Sequence, residues 1–300
     1  MYIPNNYTIQ KLFGQIIKES YVKHPVTPEW NYYISKGGNY IRKTILGQGR
    51  ADFNEPFQEA GQQLKLSVED KVLMYCYHYM QMHFMSSLYI FEAHKDFVVS
   101  NFTNNKHVFL VDLGCGPMTS GIAFTNFYLN VKSDRNELKY TYIGIDISRA
   151  MIDKGREFVR LMKPVKQYMN FYFGKKISSI PNQIERIENE CLTSESSKSV
   201  IINFSYFLAA HNLDIEPLIQ NLKRLIQHFS EHSICLIYQN PPIGSLHNNW
   251  WKIKQELQNF KSIEDCPKGL HFKFDDETGS FGGRAQPDRT VFYDIIYNGK

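Results

Sequence analysis

From residue 107 onward the chain alternates between two rhythms. Short runs of consecutive apolar residues, bounded by turn residues, mark strands covered on both faces. They are HVFLVDLG (107–114), YTYIGIDIS (140–148), YMNFYFG (168–174), SVIINFSYF (199–207) and SICLIYQN (233–240). Between them lie helical patterns: TSGIAFTNFYLN, RAMIDKGREFVRLMK, PNQIERIENE, DIEPLIQNLKRLIQHF and SLHNNWWKIKQELQNF. The clearest stripe is Ile215, Leu218, Ile219, Leu222, Leu225, Ile226 and Phe229, with Asp214 as its expected cap. The last two strand patterns, LHFKFDD and TVFYDIIYN, have no helix between them and are expected to pair antiparallel. Strands alternating with helices of this length predict a parallel sheet with crossover helices.

The first hundred residues read differently. Ile9, Leu12, Phe13, Ile16 and Ile17 recur at helical spacing, and KHPVTPEW breaks the pattern with two prolines. SKGGNYIRKTILGQGRADFNEP, with four glycines, reads as a mobile loop or short helix. Ser67 followed by Asp70 opens a long helix, apolar almost all round and carrying Met74, Met80, Met82 and Met85. The expected division is a helical region over 1–104 and an α/β domain over 105–300.

Bulk composition narrows the class. Hydrophobic content of 43% with 21% charged residues is ordinary for a globular protein. There is no run of about 18 apolar residues and no signal-peptide pattern, so no membrane contact and a cytoplasmic location are expected. Five cysteines (76, 115, 191, 235, 266) without CxxC spacing argue against a zinc site or a disulfide framework. The net charge is +4, yet residues 1–50 hold seven basic and two acidic side chains. A basic arm suits an acidic partner such as nucleic acid, although a solvated surface gives the same charge pattern.

The candidate chemistry sits at 108–124, VFLVDLGCGPMTSGIAF. Ligands of open α/β sheets bind at the carboxyl ends of the strands, where Asp112, Gly114, Gly116 and, on the second strand, Asp146 fall. A dinucleotide site needs a third glycine, and here Thr119 stands at that spacing. Pro117 removes an N–H, and Asp112 repels a diphosphate. The loop therefore fits an adenosine ligand with an ammonium and no phosphates, the shape of S-adenosylmethionine.

VDLGCGP, YIGIDIS, IINFSYFLAAH and the terminal hairpin resemble the class I S-adenosylmethionine-dependent methyltransferases over residues 107–300. The resemblance implies a Rossmann-like parallel sheet with a C-terminal antiparallel hairpin. It also implies that Asp112, Gly114, Cys115 and Gly116 line the methionine and ribose. Asp146 would hold the ribose, Ile147 would lie against the adenine, and Asn203, Phe204 and Ser205 would sit at the rim facing the acceptor. The family's usual third glycine is Met118 here, and no residue after the third strand matches its adenine contact. Tyr206 and His211, just past the fourth strand, are the catalytic candidates; packing and loop capping are their bland alternatives. NPPI at 240–243 follows the fifth strand and reads as a rigid loop. One of Trp250 and Trp251 is expected in the core. GSFGGRAQPDRT (279–290), with Arg284 and Arg289, reads as a flexible link over the cleft. Three functions stay open: a methyltransferase for RNA or another nucleic acid (slightly favoured by the basic first fifty residues), one for a small molecule with a helical lid, and a non-catalytic donor-binding regulatory subunit.

Overall fold

A computed structural model describes residues 9–104, 106–131, 140–161, 169–191, 197–210, 213–281 and 286–300. Seven strands build the main sheet: β1 (His107–Leu113), β2 (Tyr140–Ile145), β3 (Met169–Gly174), β4 (Lys198–Ser205), β5 (Ser233–Asn240), β6 (Lys268–Lys273) and β7 (Asp288–Tyr297). Their order is β3-β2-β1-β4-β5-β7-β6. The first five are parallel, and β7 runs antiparallel to both β5 and β6. An eighth, two-residue strand, Lys261–Ser262, pairs antiparallel with the far end of β7. This is the Rossmann-like sheet with a reversed terminal hairpin that the sequence pattern and its family resemblance predict.

The alternation of strand side chains sorts the core into two layers. On one face Phe109, Val111, Leu113, Ile143, Val200, Ile202 and Phe204 meet α5 (Ile180–Cys191), α6 (Ile215–His228) and α7 (Asn248–Glu256). On the other face Val108, Leu110, Tyr140, Tyr142 and Ile201 meet α3 (Thr119–Val131), α4 (Arg149–Leu161) and the N-terminal helices. Residues 9–104 therefore share one continuous core with that face.

Within the N-terminal region, α1 (Val68–Tyr75) starts at Ser67, whose Oγ accepts the Asp70 N–H at 3.0 Å. A π-helical turn, Cys76–Met80, joins it to α2 (Gln81–Ala93), which lies along α3. The wide turn absorbs one extra residue. Tyr75 and His83, eight apart, share one face, with the Tyr75 hydroxyl 2.8 Å from His83 Nδ1.

Of the remaining expectations, some are met and others need correction. The glycine-rich stretch forms short helices, Gly37–Tyr40 and Ile41–Ile45, because Ile41, Ile45 and Leu46 bury their side chains. The start of the β6–β7 connection is pinned rather than flexible. Asp276 accepts from Thr278 Oγ1, Gly279 N and Phe281 N, and Gln81 bonds the backbone of Asp275 and Glu277. Arg284 lies outside the described residues. Asp214 occupies the N-cap of α6 without a side-chain cap bond. Trp250 is fully buried and donates to Asp294 at 3.0 Å, while Trp251 stays partly exposed.

Gly144 stands opposite Asp112 in the β1–β2 register. A Cβ there would lie 2.8 Å from Tyr142 Cε1 and 2.9 Å from its hydroxyl. Gly144→Ala is expected to destabilise the fold by about 1–3 kcal/mol through overpacking. Urea denaturation measures it, and a midpoint equal to the parent's would contradict the packing.

Candidate ligand site at the carboxyl ends of the strands

Asp112 lies beneath the loop and does not line it. Its side chain is 2% exposed. One carboxylate oxygen accepts from Tyr142 Oη at 2.9 Å and the other from Asn203 Nδ2 at 2.7 Å. Burial pushes its pKa up to about 6, against the lowering effect of the Asn203 and Tyr142 bonds. The expectation that Asp112 meets a ligand ammonium is thus corrected: the carboxylate joins β1, β2 and β4 from inside. The hydrogen bonds continue from Asn203 to Ser205, Gln239, Ser87 and Ser120, reaching α2 and α3.

The loop above is built on left-handed residues. Gly114 has φ +67° and Gly116 φ +52°, conformations that favour glycine. Met118 also has a φ of 67°, a strain of roughly 1–2 kcal/mol for a side-chain-bearing residue. It is fully buried, and its side chain fills the space over Gly121 and Gly155 of α3 and α4. That burial accounts for methionine at the place of the family's third glycine.

Each loop N–H is already used. Gly114 N and Cys115 N both donate to Ile145 O, at 2.8 and 3.1 Å, and Gly116 N donates to Asp146 Oδ2 at 2.9 Å. Pro117 has none. Asp146 also accepts Ser148 N at 2.8 Å; burial raises its pKa, opposed by these two bonds. Beside it Ile147 is 73% exposed, an apolar side chain left in the open at the mouth of the site. A methyl group added at Gly116 would meet nothing within 4 Å, whereas at Gly114 it would strike the Phe207 ring. Gly116 therefore borders open space and Gly114 packs on the β4 exit. Ser148 Oγ donates to Phe53 O at 2.7 Å and so docks the N-terminal region beside Asp146.

The remaining candidates separate by strand alternation. Asn203 and Ser205 face α2 and α3. Phe204 points to the opposite face and packs on Trp250, with ring centroids 6.0 Å apart, so its expected place at the rim is corrected. Cys115 is buried, and burial pushes its thiol's pKa well up. Tyr206, at a positive φ of 60°, stacks on His83 at 3.8 Å, and its hydroxyl is 3.0 Å from Ser86 Oγ. Burial pushes the phenol's pKa up, opposed by the Ser86 bond, and the stacked ring walls this end of the sheet. His211 lies outside the described residues. Tyr75, His83 and Phe207 also shape this end of the sheet. The first two share one helical face at i and i+8, a signal hidden because residues 68–93 are apolar almost all round. Burial alone pushes His83 down to about 3. Among the described residues no cluster of potential metal ligands occurs, and no helix is long and apolar enough to cross a membrane.

No family model matches the chain, and no curated protein matches it. Among solved structures it is similar to the magnesium protoporphyrin IX methyltransferase of Synechocystis PCC 6803 with bound SAH. The identity is 11%, with 87% of this chain and 97% of that one covered, at a TM-score of 0.38. A DUF574 family protein from Streptomyces avermitilis is 9% identical over 79% of this chain and 92% of its own, at 0.42. A putative methyltransferase from Thermobifida fusca is 12% identical over 82% and 96%, at 0.41. The fold assignment rests on the strand order, to which likeness at these scores adds nothing.

The raised pKa of Asp112 has a signed consequence. Between about pH 4 and 6 the folded chain keeps a proton that the unfolded chain has released. Stability contributed by this group therefore falls as pH rises through that window. Asp112→Asn is expected to flatten the slope by up to about one proton. Urea titrations at several pH values test this, and parallel profiles for parent and variant would refute the assignment.

Proposed function

We propose that this chain is an S-adenosylmethionine-dependent methyltransferase acting on a nitrogen or oxygen atom of a small molecule. One observation carries the donor assignment: the glycine loop has no free N–H for a phosphate, yet a half-buried carboxylate and an exposed isoleucine stand beside it. Dinucleotide sites use the loop N–H groups and the following helix N-terminus for pyrophosphate. A phosphate-free adenosine ligand needs neither. Asp146 would accept both ribose hydroxyls on its remaining lone pairs, Ile147 would cover the adenine, and the open side of Gly116 would admit the sugar.

The bound donor supplies a methyl group on a sulfonium, whose displacement leaves a neutral thioether. The protein's part is alignment and exclusion of water. Tyr206 and His83, stacked and neutral, would form the wall against which the acceptor lies. Ser205 and the Asn203 amide lie on the same face of β4. The reading of a nucleic-acid acceptor loses its main support. Lys36 lies 3.7 Å from Glu59 and over the Tyr32 ring, and Arg42 donates to Ser280 O at 2.9 Å. Lys36, though exposed, is thus paired with a carboxylate, and the half-buried Arg42 is held by the β6–β7 connection.

Calorimetry with S-adenosylhomocysteine tests the donor. The parent should bind, NAD should give no heat, and Asp146→Ala should weaken binding by about 1.5–3 kcal/mol, the scale of hydrogen bonds to a charged group. Absence of binding to the parent, or an unchanged affinity in the variant with its circular dichroism intact, would overturn the assignment.

A further inference from the structure

Arg42, from the Ile41–Ile45 turn, and Arg289, from β7, meet at one aromatic ring. The Arg42 guanidinium carbon is 5.3 Å and that of Arg289 4.8 Å from the centroid of Phe281. Neither faces a carboxylate among the described residues. Arg42 Nη1 donates to Ser280 O and lies 3.5 Å from His78 Nδ1, a ring that burial and Arg42 itself keep neutral. Arg289 Nη1 donates to Asp288 O at 2.8 Å, while the Asp288 carboxylate is engaged by His271 and Lys273. The other guanidinium N–H groups have no acceptor among the described residues. Two half-buried cations gathered on one ring repel each other, and the nearby Asp276 carboxylate is already taken by Thr278, Gly279 and Phe281.

A role in holding the β6–β7 connection explains Arg42 and its bond to Ser280. It explains Arg289 only through its stacking on Phe281, since its hydrogen bond goes to its own neighbour. A second observation points the same way: Ser280 Oγ is buried without a hydrogen-bond partner, directly beside the Arg42 contact. Buried hydroxyls are rarely left unpaired, and guanidinium pairs suit planar or tetrahedral oxyanions.

Rings also lie between Arg42 and the carboxyl ends of the strands. The Tyr79 hydroxyl donates to Arg42 O at 3.3 Å. Its ring stacks on His83 at 5.8 Å, and His83 stacks on Tyr206 at 3.8 Å. One row of rings thus leads from the Arg42 backbone to the exit of β4.

We infer that Arg42, Arg289 and Ser280 form an anion subsite, and that the methyl acceptor is a small molecule bearing a carboxylate or phosphate held there. The acceptor assignment rests on the methyltransferase reading; the anion subsite does not. The full chain, without donor, is titrated by calorimetry with phenyl phosphate, with benzoate and with uncharged benzamide. One of the two anions should bind and benzamide should not, and the preferred anion distinguishes phosphate from carboxylate. Arg289→Gln should weaken that binding about tenfold or more, with Arg42→Gln as a second variant should it fold. S-adenosylhomocysteine affinity should be unchanged in Arg289→Gln, which separates this subsite from the donor site. Equal binding of benzamide, binding of neither anion, or no effect of Arg289→Gln would overturn the subsite. Binding of a single-stranded oligonucleotide that depends on Lys43 and Arg50, with neither small anion bound, would overturn it in favour of nucleic acid.

Discussion

The architecture of this site depends on a carboxylate that never reaches it. Asp112 is buried at the centre of the sheet, and a buried charge is tolerated only where hydrogen bonds compensate its lost hydration. Tyr142 and Asn203, on the strands to either side, provide them. The demand propagates outward. Gly144 must lack a side chain because the Tyr142 ring crosses it. Asn203 must turn its carbonyl to Ser205, which hands the chain of bonds to Gln239 and then to α2 and α3. Four strands and two helices are thereby joined by one polar knot.

With its base so held, the loop closes on itself. Its amides bond to Ile145 O and Asp146 at the end of β2. The same physics applies to the N-terminal helices. Their side chains belong to the core of one sheet face, and Ser148 binds Phe53 O at the edge of the site. A helical lid moving as a separate body would have to expose Phe13, Tyr33, Met74 and Phe84, all of them fully buried.

Much of this was legible in the sequence. Period-two and continuous apolar runs located all seven strands, and the missing helix after β6 announced the reversed β7. DLGCG and GIDIS located the loop and Asp146, because turn glycines and a strand-end acid are local signals. What stayed hidden depends on non-local geometry. No pattern tells whether a strand-end aspartate points up to a ligand or down to a neighbour's phenol. The strand parity that sends Phe204 to the far face is written in the sequence, but resemblance to a motif obscured it. The shared face of Tyr75 and His83 does not stand out in a periodicity that is apolar all round. Arg42 and Arg289 are far apart in the chain and meet only through the β6–β7 connection, whose glycines read as freedom until Asp276 and Gln81 are seen to hold it.

The most direct measurement of the central claim is a crystal structure of the full chain with S-adenosylhomocysteine. The account predicts the ribose hydroxyls on the Asp146 carboxylate, the adenine over Ile147 and Asp112 still bonded to Tyr142 and Asn203. A ligand whose ammonium reaches Asp112, or a nucleoside bound away from Asp146, would contradict it.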